Sequence, residues 1–209
     1  MMEKRVVLVF LKYPEAGRVK TRLAVEVGDG EAVRIYGEMV GRVLGLLAGL
    51  EGVSVWVCFD PAERADALRE WVGGLVGDAT RSWEFLVQAG GDLGERMRAA
   101  VSAAKEAGFG RVVVVGTDCV ELTGEVIGQA WDLLDETDVV FGPATDGGYY
   151  LVGMTEVRAV VFEGIEWSTE RTLEMSVAAA RGNGLSVGLL RELRDVDTYA
   201  DWESANFEC

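Results

Sequence analysis

The sequence contains no histidine. That absence excludes a Ser-His-Asp or Cys-His hydrolase and any histidine-ligated zinc or iron site. An acid or base in this chain must therefore be a carboxylate, lysine, tyrosine or cysteine. A metal must be held mainly by oxygen, which favours Mg2+ or Mn2+. Cysteine is scarce too. Cys58, Cys119 and Cys209 are far apart and odd in number, which argues against a disulfide framework or zinc knuckle and makes a reducing cytoplasm the expected compartment. Long hydrophobic runs are missing: no uncharged apolar stretch approaches the roughly 20 residues of a membrane span. The N-terminal segment has only the short run Val6 to Leu11 and no cleavage site, so neither membrane insertion nor a signal peptide is expected.

Lysine is the remaining scarcity. Three of the four lysines, Lys4, Lys12 and Lys20, lie near the start of the chain. Residues 1–22 hold six basic residues (Lys4, Arg5, Lys12, Arg18, Lys20 and Arg22) against Glu3 and Glu15, a local +4 in a chain of net charge −15, which leaves −19 on the rest. The acidic body opposes duplex nucleic acid and anionic membranes as partners. A small basic segment on such a body suits a compact anion; the competing reading is a solvated N-terminal strand. With 49% hydrophobic and 26% charged residues, the composition is that of a globular protein and excludes disordered, collagen-like and coiled-coil classes. The 209 residues predict one domain over 1–209 that needs no staples to fold.

Continuous apolar runs at Arg5–Leu11, Val53–Phe59 and Arg111–Gly116 read as strands buried on both faces. Trp83–Gln88, Asp138–Phe141, Tyr149–Gly153 and Leu185–Leu190 read as further strands. Helical stripes are predicted over Glu31–Leu47 with Asp29 as cap, from Pro61 to Val72, from Asp92 to Ala107 with Glu95 as capping-box partner, and from Thr123 through Leu134. Two more are predicted over Ser168–Ala180 and Tyr199–Asn206, and Lys12–Arg22 reads as a polar loop. Strand and helix alternate through the first two-thirds. This predicts an α/β fold, a mostly parallel central sheet with helices on both faces.

In such sheets ligands bind beyond the carboxyl ends of the strands, and the loops there carry unusual chemistry. After the first strand come Lys12, Gly17, Lys20 and Arg22. Lysine supplies a point charge for phosphate, arginine a bidentate grip, and glycine a turn whose N–H groups can meet an anion. Neither GxxxxGK[ST] nor GxGxxG is present. After the third strand, Gly90 and Gly91 permit close backbone approach to a ring or phosphate, Gln88 offers a base-reading amide, and Arg96 is within possible reach of a ligand. Asp92 and Glu95 read as caps. After the valine strand stands Asp118, the best single candidate for a metal carboxylate; Cys119 reads as a small buried residue because nothing beside it activates a thiol. In Pro143–Tyr150, Asp146 is a candidate general base or hydroxyl ligand, or simply a turn residue before Gly147 and Gly148. Tyr149 and Tyr150 alternate faces, so one of them at most is expected in the site. Trp167 beside Ser168 and Thr169 reads either as a sugar-stacking platform or as staple and N-cap. Asp195 and Asp197 offer a second metal carboxylate, with Asp197 alternatively capping the last helix.

Together, FLKYPEAGRVKTRL, QAGGDLGERM, GTDC, GPATDGGYYLVG, WST and DVDTYAD resemble the bacterial A-type glycosyltransferase-like family called radical-SAM/selenodomain-associated transferases, from Phe10 to Asp201. The resemblance implies the nucleotide-diphospho-sugar transferase (GT-A-like) fold, a Rossmann-like three-layer sandwich. It implies a nucleotide-binding part at 1–140 and an acceptor-side completion at 141–209. It also implies nucleotide phosphates on the Lys12–Arg22 loop, Asp118 at the metal-binding acidic motif, Asp195 and Asp197 near the second metal position, and Gly147, Gly148, Tyr149, Trp167, Ser168 and Thr169 on the sugar or acceptor side. Where the family has proline after the cysteine, this chain has Val120, and no complete Asp-x-Asp is present. The first loop also resembles that of phospholactate guanylyltransferases. Expected partners are a nucleotide-sugar or nucleotide and a small-molecule acceptor. The expected activity is metal-dependent glycosyl transfer, with nucleotidyl transfer and a catalytically inactive nucleotide binder as alternatives.

Overall fold

The computed structural model describes residues 3–207; Cys209 lies outside them. The chain runs β1 (Arg5–Lys12), α1 (Thr21–Val27), α2 (Asp29–Ala48), β2 (Val53–Asp60), α3 (Ala65–Val76), β3 (Glu84–Val87), α4 (Leu93–Glu106), β4 (Arg111–Val115), α5 (Gly124–Leu133), β5 (Val139–Pro143), β6 (Tyr149–Met154), α6 (Thr172–Gly182), β7 (Val187–Leu189) and α7 (Tyr199–Phe207). The strands form one sheet in the order β3-β2-β1-β4-β6-β5-β7. All neighbours are parallel except β6, which is antiparallel to β4 and β5.

Period-two alternation along the central strands builds the three layers. From β1, Val7, Val9 and Leu11 join a core with α2, α3 and α5. Val6 and Leu8 point the other way, into a core with α4 and α6. In β4, Val113 and Val115 face the first layer and Val112 and Val114 the second. Every one of these residues is buried, and each valine or leucine so enclosed contributes about 1.5–3 kcal/mol. That is why β1 and β4 read as unbroken apolar runs. The strands turn to β2 on one side of β1 and to β4 on the other. This reversal opens a crevice at the carboxyl ends of β1 and β4.

The helix starts follow their caps. Asp92 accepts from Glu95 N–H at 2.8 Å while Glu95 accepts from Asp92 N–H at 2.9 Å, the expected capping box. Thr123 caps α5 through Val126 N–H. Elsewhere the structure corrects the sequence reading. The last two residues of the expected Lys12–Arg22 loop, Thr21 and Arg22, belong to a seven-residue helix, α1, which Lys20 enters in the left-handed conformation at φ 46°. Gly28, not Asp29, stands at the start of α2. Pro61 leads into a 3-10 turn, and α3 begins only at Ala65. Helix α6 starts at Thr172, after Ser168 and Thr169. Thr198 and Asp201 share reciprocal hydrogen bonds at the start of α7, so Asp197 is not its cap. No helix among the described residues is long and apolar enough to cross a membrane.

Replacing Asp92 by alanine removes the reciprocal cap of α4. The expected loss is about 1 kcal/mol of stability, a fall of about 2–4 °C in Tm for a chain of this size, measured by calorimetry or circular dichroism. An unchanged Tm would show that the cap contributes nothing.

Candidate functional site

The crevice opens into a cleft of about 850 Å³. Lys12 at the end of β1, Lys20 before α1 and Arg22 in its first turn reach it; Gln88 and Gly91 come from the β3–α4 connection and Arg96 from the first turn of α4; Asp118 comes from the loop after β4. Asp146, Gly148 and Tyr149 border it from the β5–β6 turn, Trp167, Ser168 and Thr169 from the approach to α6, and Asp195 and Asp197 from the segment after β7. Gly17, Gly90 and Gly147 do not line it; Gly17 borders a neighbouring recess shared with Lys12 and Arg18.

Lys20 ties three distant segments together. Its side chain is only 7% exposed, and its Nζ lies 2.8 Å from Asp118 Oδ1 and 3.8 Å from Asp197 Oδ1. It also donates to Val196 O at 2.6 Å. A non-glycine residue in the left-handed region costs on the order of 1 kcal/mol and persists only where its surroundings hold it; here the three partners of the ammonium do so. Arg22 pairs with Asp197 Oδ2 at 2.9 Å. Val196 explains why the two acids beside it reach the cleft. It is buried with Leu23, Ala32 and Ile35, and its N–H donates to Asp118 O at 3.0 Å. With the valine in the core, both flanking carboxylates border the cleft.

The acidic side is assembled by an extension of the sheet. Beyond β5 and β7 the strands stay side by side: Leu193 N–H donates to Pro143 O at 3.0 Å and Thr145 N–H to Leu193 O at 3.1 Å. This bridge carries Asp195 to Asp146. Single oxygens of Asp146, Asp195 and Asp197 all lie within 4.8 Å of one another. Thr145 Oγ1 donates to Asp195 at 3.2 Å, and Gly148 N–H donates to Asp146 Oδ1 at 2.7 Å. Burial lifts the Asp195 carboxyl above the ordinary aspartate range, and the neighbouring Asp146 and Asp197 carboxylates push it the same way. An all-oxygen set of converging carboxylates has the chemistry of a hard divalent cation site. Asp146, read from the sequence as a base or turn residue, thus stands within this set.

Another part of the cleft lining is aromatic. Tyr149 packs edge-on against Phe141 at 5.2 Å and Trp167 at 6.3 Å between ring centroids. Trp167 fits against the first turn of α4 because Gly94 has no side chain; a Cβ there would lie 2.5 Å from the indole and from Phe162 O. Tyr149 and Tyr150 do enter opposite core layers, yet both border the cleft, because it wraps around the end of the sheet. Tyr150 is anchored by donating to Arg191 O at 3.0 Å. Gln88 spends its amide N–H groups on Cys58 O and Leu11 O, a strand-bridging use that leaves only its oxygen for a ligand. Arg96 donates to Gly91 O at 3.0 Å. The Cys119 thiol is pushed far up by burial and by surrounding carboxylates, Asp195 first among them, so it is a poor nucleophile.

Sequence reasoning overlooked Tyr36 and Thr145. Tyr36 is a buried member of the α2 stripe whose hydroxyl accepts from Lys12 N–H at 2.9 Å and donates to Lys12 O at 3.0 Å, fixing the start of the basic loop. The signal was a tyrosine in an apolar stripe, since a buried hydroxyl requires a partner. Thr145 has no comparable signal; its role depends on where Asp195 arrives.

Because the fold raises the proton affinity of Asp195, its charged form opposes folding at neutral pH. Asp195→Asn keeps an acceptor for Thr145 and removes that charge. Without divalent cations its Tm is expected to rise, by about 2–4 °C for each kcal/mol relieved; a lower Tm at pH 7 in chelator would contradict this. Gly147 holds φ 85°, and a Cβ there would overlap the Glu170 backbone, while its carbonyl accepts from Leu173 N–H. Gly147→Ala is expected to cost about 1–3 kcal/mol, more than Gly17→Ala, which has a similar φ of 74° but open space around it. Denaturant melts of the two variants compare the costs; equal losses would mean that crowding at Gly147 is relieved at no cost.

The DUF2064 family model, described as an uncharacterized protein conserved in bacteria, matches residues 43–169. No curated protein matches the chain. A solved structure from Desulfovibrio desulfuricans G20, described as a candidate nucleotide-diphospho-sugar transferase, is 36% identical with a TM-score of 0.87, covering 96% of this chain and 85% of its own. CMP:2-keto-3-deoxy-manno-octonic acid synthetase complexed with CTP has a TM-score of 0.57 at 13% identity, covering 98% of each chain. A Mycobacterium tuberculosis H37Rv protein in complex with manganese has a TM-score of 0.54 at 15% identity, covering 98% of this chain and 100% of its own. These last two are similar in fold alone. The family match over more than half of the sequence and the 36% identity across nearly all of it agree: the chain belongs to the DUF2064 family, on a nucleotide-diphospho-sugar transferase fold.

Proposed function

We propose that the protein is a metal-dependent glycosyltransferase that takes a nucleotide-diphospho-sugar donor and a small-molecule acceptor. The observation that carries this reading is the meeting, in one cleft, of a basic loop and a carboxylate cluster, with Lys20 Nζ 2.8 Å from Asp118. A diphosphate needs both, cationic side chains for its oxygens and a divalent ion bridging them to carboxylates.

In this reading the donor diphosphate lies along Lys12–Arg22, with Lys20, Arg22 and the exposed Arg18 facing its oxygens. Asp195 and Asp197, converging with Asp146, would hold Mg2+ or Mn2+, with Asp118, outside that cluster and paired with Lys20, as a further carboxylate. The bound ion would supply Lewis-acid stabilisation of the departing nucleoside diphosphate. The lysine and arginine side chains stabilise the same developing charge, preorganised by Val196 O and Asp197. One oxygen of Asp146 is held by Gly148 N–H; the other is open to the cation or to an acceptor hydroxyl. Trp167 and Tyr149 form the apolar wall on which a sugar ring rests, with Ser168 and Thr169 at its rim. Residues 1–140 then carry the nucleotide side and 141–209 the acceptor side. This division supports the preference for glycosyl transfer, because the aromatic wall belongs to the second part. The 36%-identical relative, described as a candidate nucleotide-diphospho-sugar transferase, supports a nucleotide-sugar-type transferase.

Nucleotidyl transfer is the second reading, favoured by the fold shared with a synthetase bound to CTP. There a phosphorylated acceptor attacks the α-phosphorus and pyrophosphate leaves. Incubation with a nucleotide-sugar panel and Mn2+ separates the two: nucleoside diphosphate release is expected. Pyrophosphate release from a nucleoside triphosphate with a phosphorylated acceptor would instead establish the second. Tight nucleotide binding without turnover in any combination would leave a binding protein. Asp118→Asn is expected to keep the wild-type fold and lose metal-dependent nucleotide affinity by at least about tenfold, on the scale of a lost charged contact. Unchanged Mn2+-dependent affinity by calorimetry would remove Asp118 from the site.

A further inference from the structure

The Lys20 ammonium stands among the groups that the divalent cation requires. It is 2.8 Å from one oxygen of Asp118 and 3.8 Å from one of Asp197. Asp197 in turn completes the cluster with Asp146 and Asp195. One carboxylate is therefore shared between ammonium and cluster, and another is claimed by the ammonium. The exposed Arg22 holds the other oxygen of Asp197 from the solvent side, so the enclosed charge in this half-buried acidic pocket is that of Lys20, and a second cation entering there meets both its repulsion and its prior hold on the ligands. Lysine is suited to leave such a position: it is a compact charge on a flexible stem, without the planar fork that locks an arginine to one carboxylate. Its loop is also the one to which the phosphates are assigned above.

We infer that Lys20 is an internal cation that competes with the divalent metal for Asp118 and Asp197, and that nucleotide phosphate releases it. This rests on the nucleotide- and metal-dependent reading of the site. In the free protein the ammonium neutralises the two carboxylates, and metal binds weakly. When a diphosphate enters, Lys20 exchanges carboxylate for phosphate, and the acids become available to the metal. Metal and nucleotide each strengthen the other's binding, and by linkage the enhancement is the same in both directions. The device prevents a permanently loaded metal site and orders assembly around the complete donor.

The test is a Mn2+ titration, read by the electron paramagnetic resonance signal of free Mn2+, on wild type, Lys20→Met, Lys20→Arg and Asp195→Asn, with and without a nucleoside diphosphate. Lys20→Met removes the charge and keeps the stem. Without nucleotide it is expected to bind Mn2+ at least about tenfold more tightly than wild type, as follows from removing one like charge at this separation. Its affinity for nucleoside diphosphate without metal is expected to fall by a similar factor. Lys20→Arg keeps the charge and should bind Mn2+ no more tightly than wild type, and melting curves of each variant confirm that the fold is intact. Should Lys20→Met fail to fold, wild type alone still decides: Mn2+ affinity that does not rise with nucleoside diphosphate overturns the inference. Equal or weaker Mn2+ binding by a folded Lys20→Met, with binding lost in Asp195→Asn, overturns the competition and leaves the metal site standing. Mn2+ binding that is absent throughout, or unaffected in Asp195→Asn, overturns the metal reading itself and the competition with it.

Discussion

A lysine ammonium enclosed between the ends of β1 and β4 holds the cleft together. Through Asp118, Asp197 and Val196 O it joins residue 20 to residues 118 and 196–197, segments that share no local sequence. The ammonium is enclosed, but its carboxylate partners are one-third to one-half exposed, and ion pairs open to solvent add at most about 1 kcal/mol. The contact is therefore better understood as setting register than as adding stability. It fixes where α1 begins, since Lys20 takes the left-handed conformation that ends the loop. It also fixes how the segment before α7 lies across the end of the sheet.

Around that contact the protein gathers charge that its fold does not need. Three carboxylates converge within 4.8 Å, and the proton affinity of Asp195 is raised first by burial and then by the Asp146 and Asp197 charges beside it. Such a grouping lowers stability and persists where a ligand repays it. The apolar framework absorbs the cost. Two dense layers pack against β1 and β4, and a third cluster of Leu23, Ile35, Met39, Val196 and Trp202 clamps the C-terminal segment onto α1 and α2. The carboxylates thus hang from rigid supports, as a site that must present fixed charges requires.

Much of this was legible. Valine runs identified the central strands because a strand buried on both faces has no polar positions to interrupt it. Asp92 and Glu95 announced the start of α4 because a capping box is a local device. The loops after the first, third, fourth and fifth strands were selected by the rule for open sheets, and side chains from all four do line one cleft. The failures were equally physical. Helix α1 is seven residues long, buries only Leu23 and lacks a side-chain cap, so neither periodicity nor a capping residue marks it. Ser168 and Thr169 look like caps, but Thr172 Oγ1 donates to Glu166 O instead, and α6 starts later. The pairing of Leu193 with residues 143–145 joins segments fifty residues apart, and no local pattern encodes it.

By itself the sequence determined the class of chemistry: no histidine, oxygen ligands alone, a basic beginning on an acidic body, and an α/β alternation with its reactive residues in the loops. These follow from composition and short-range periodicity, which act within a few residues. Only the tertiary structure decided which acids stand together. Asp146 meets Asp195 and Asp197 because β5 and β7 run parallel and stay paired past their ends. Asp118 meets Lys20 because β4 lies beside β1. Neighbour relations of that kind come from strand order, and strand order is set by the packing of the whole sheet.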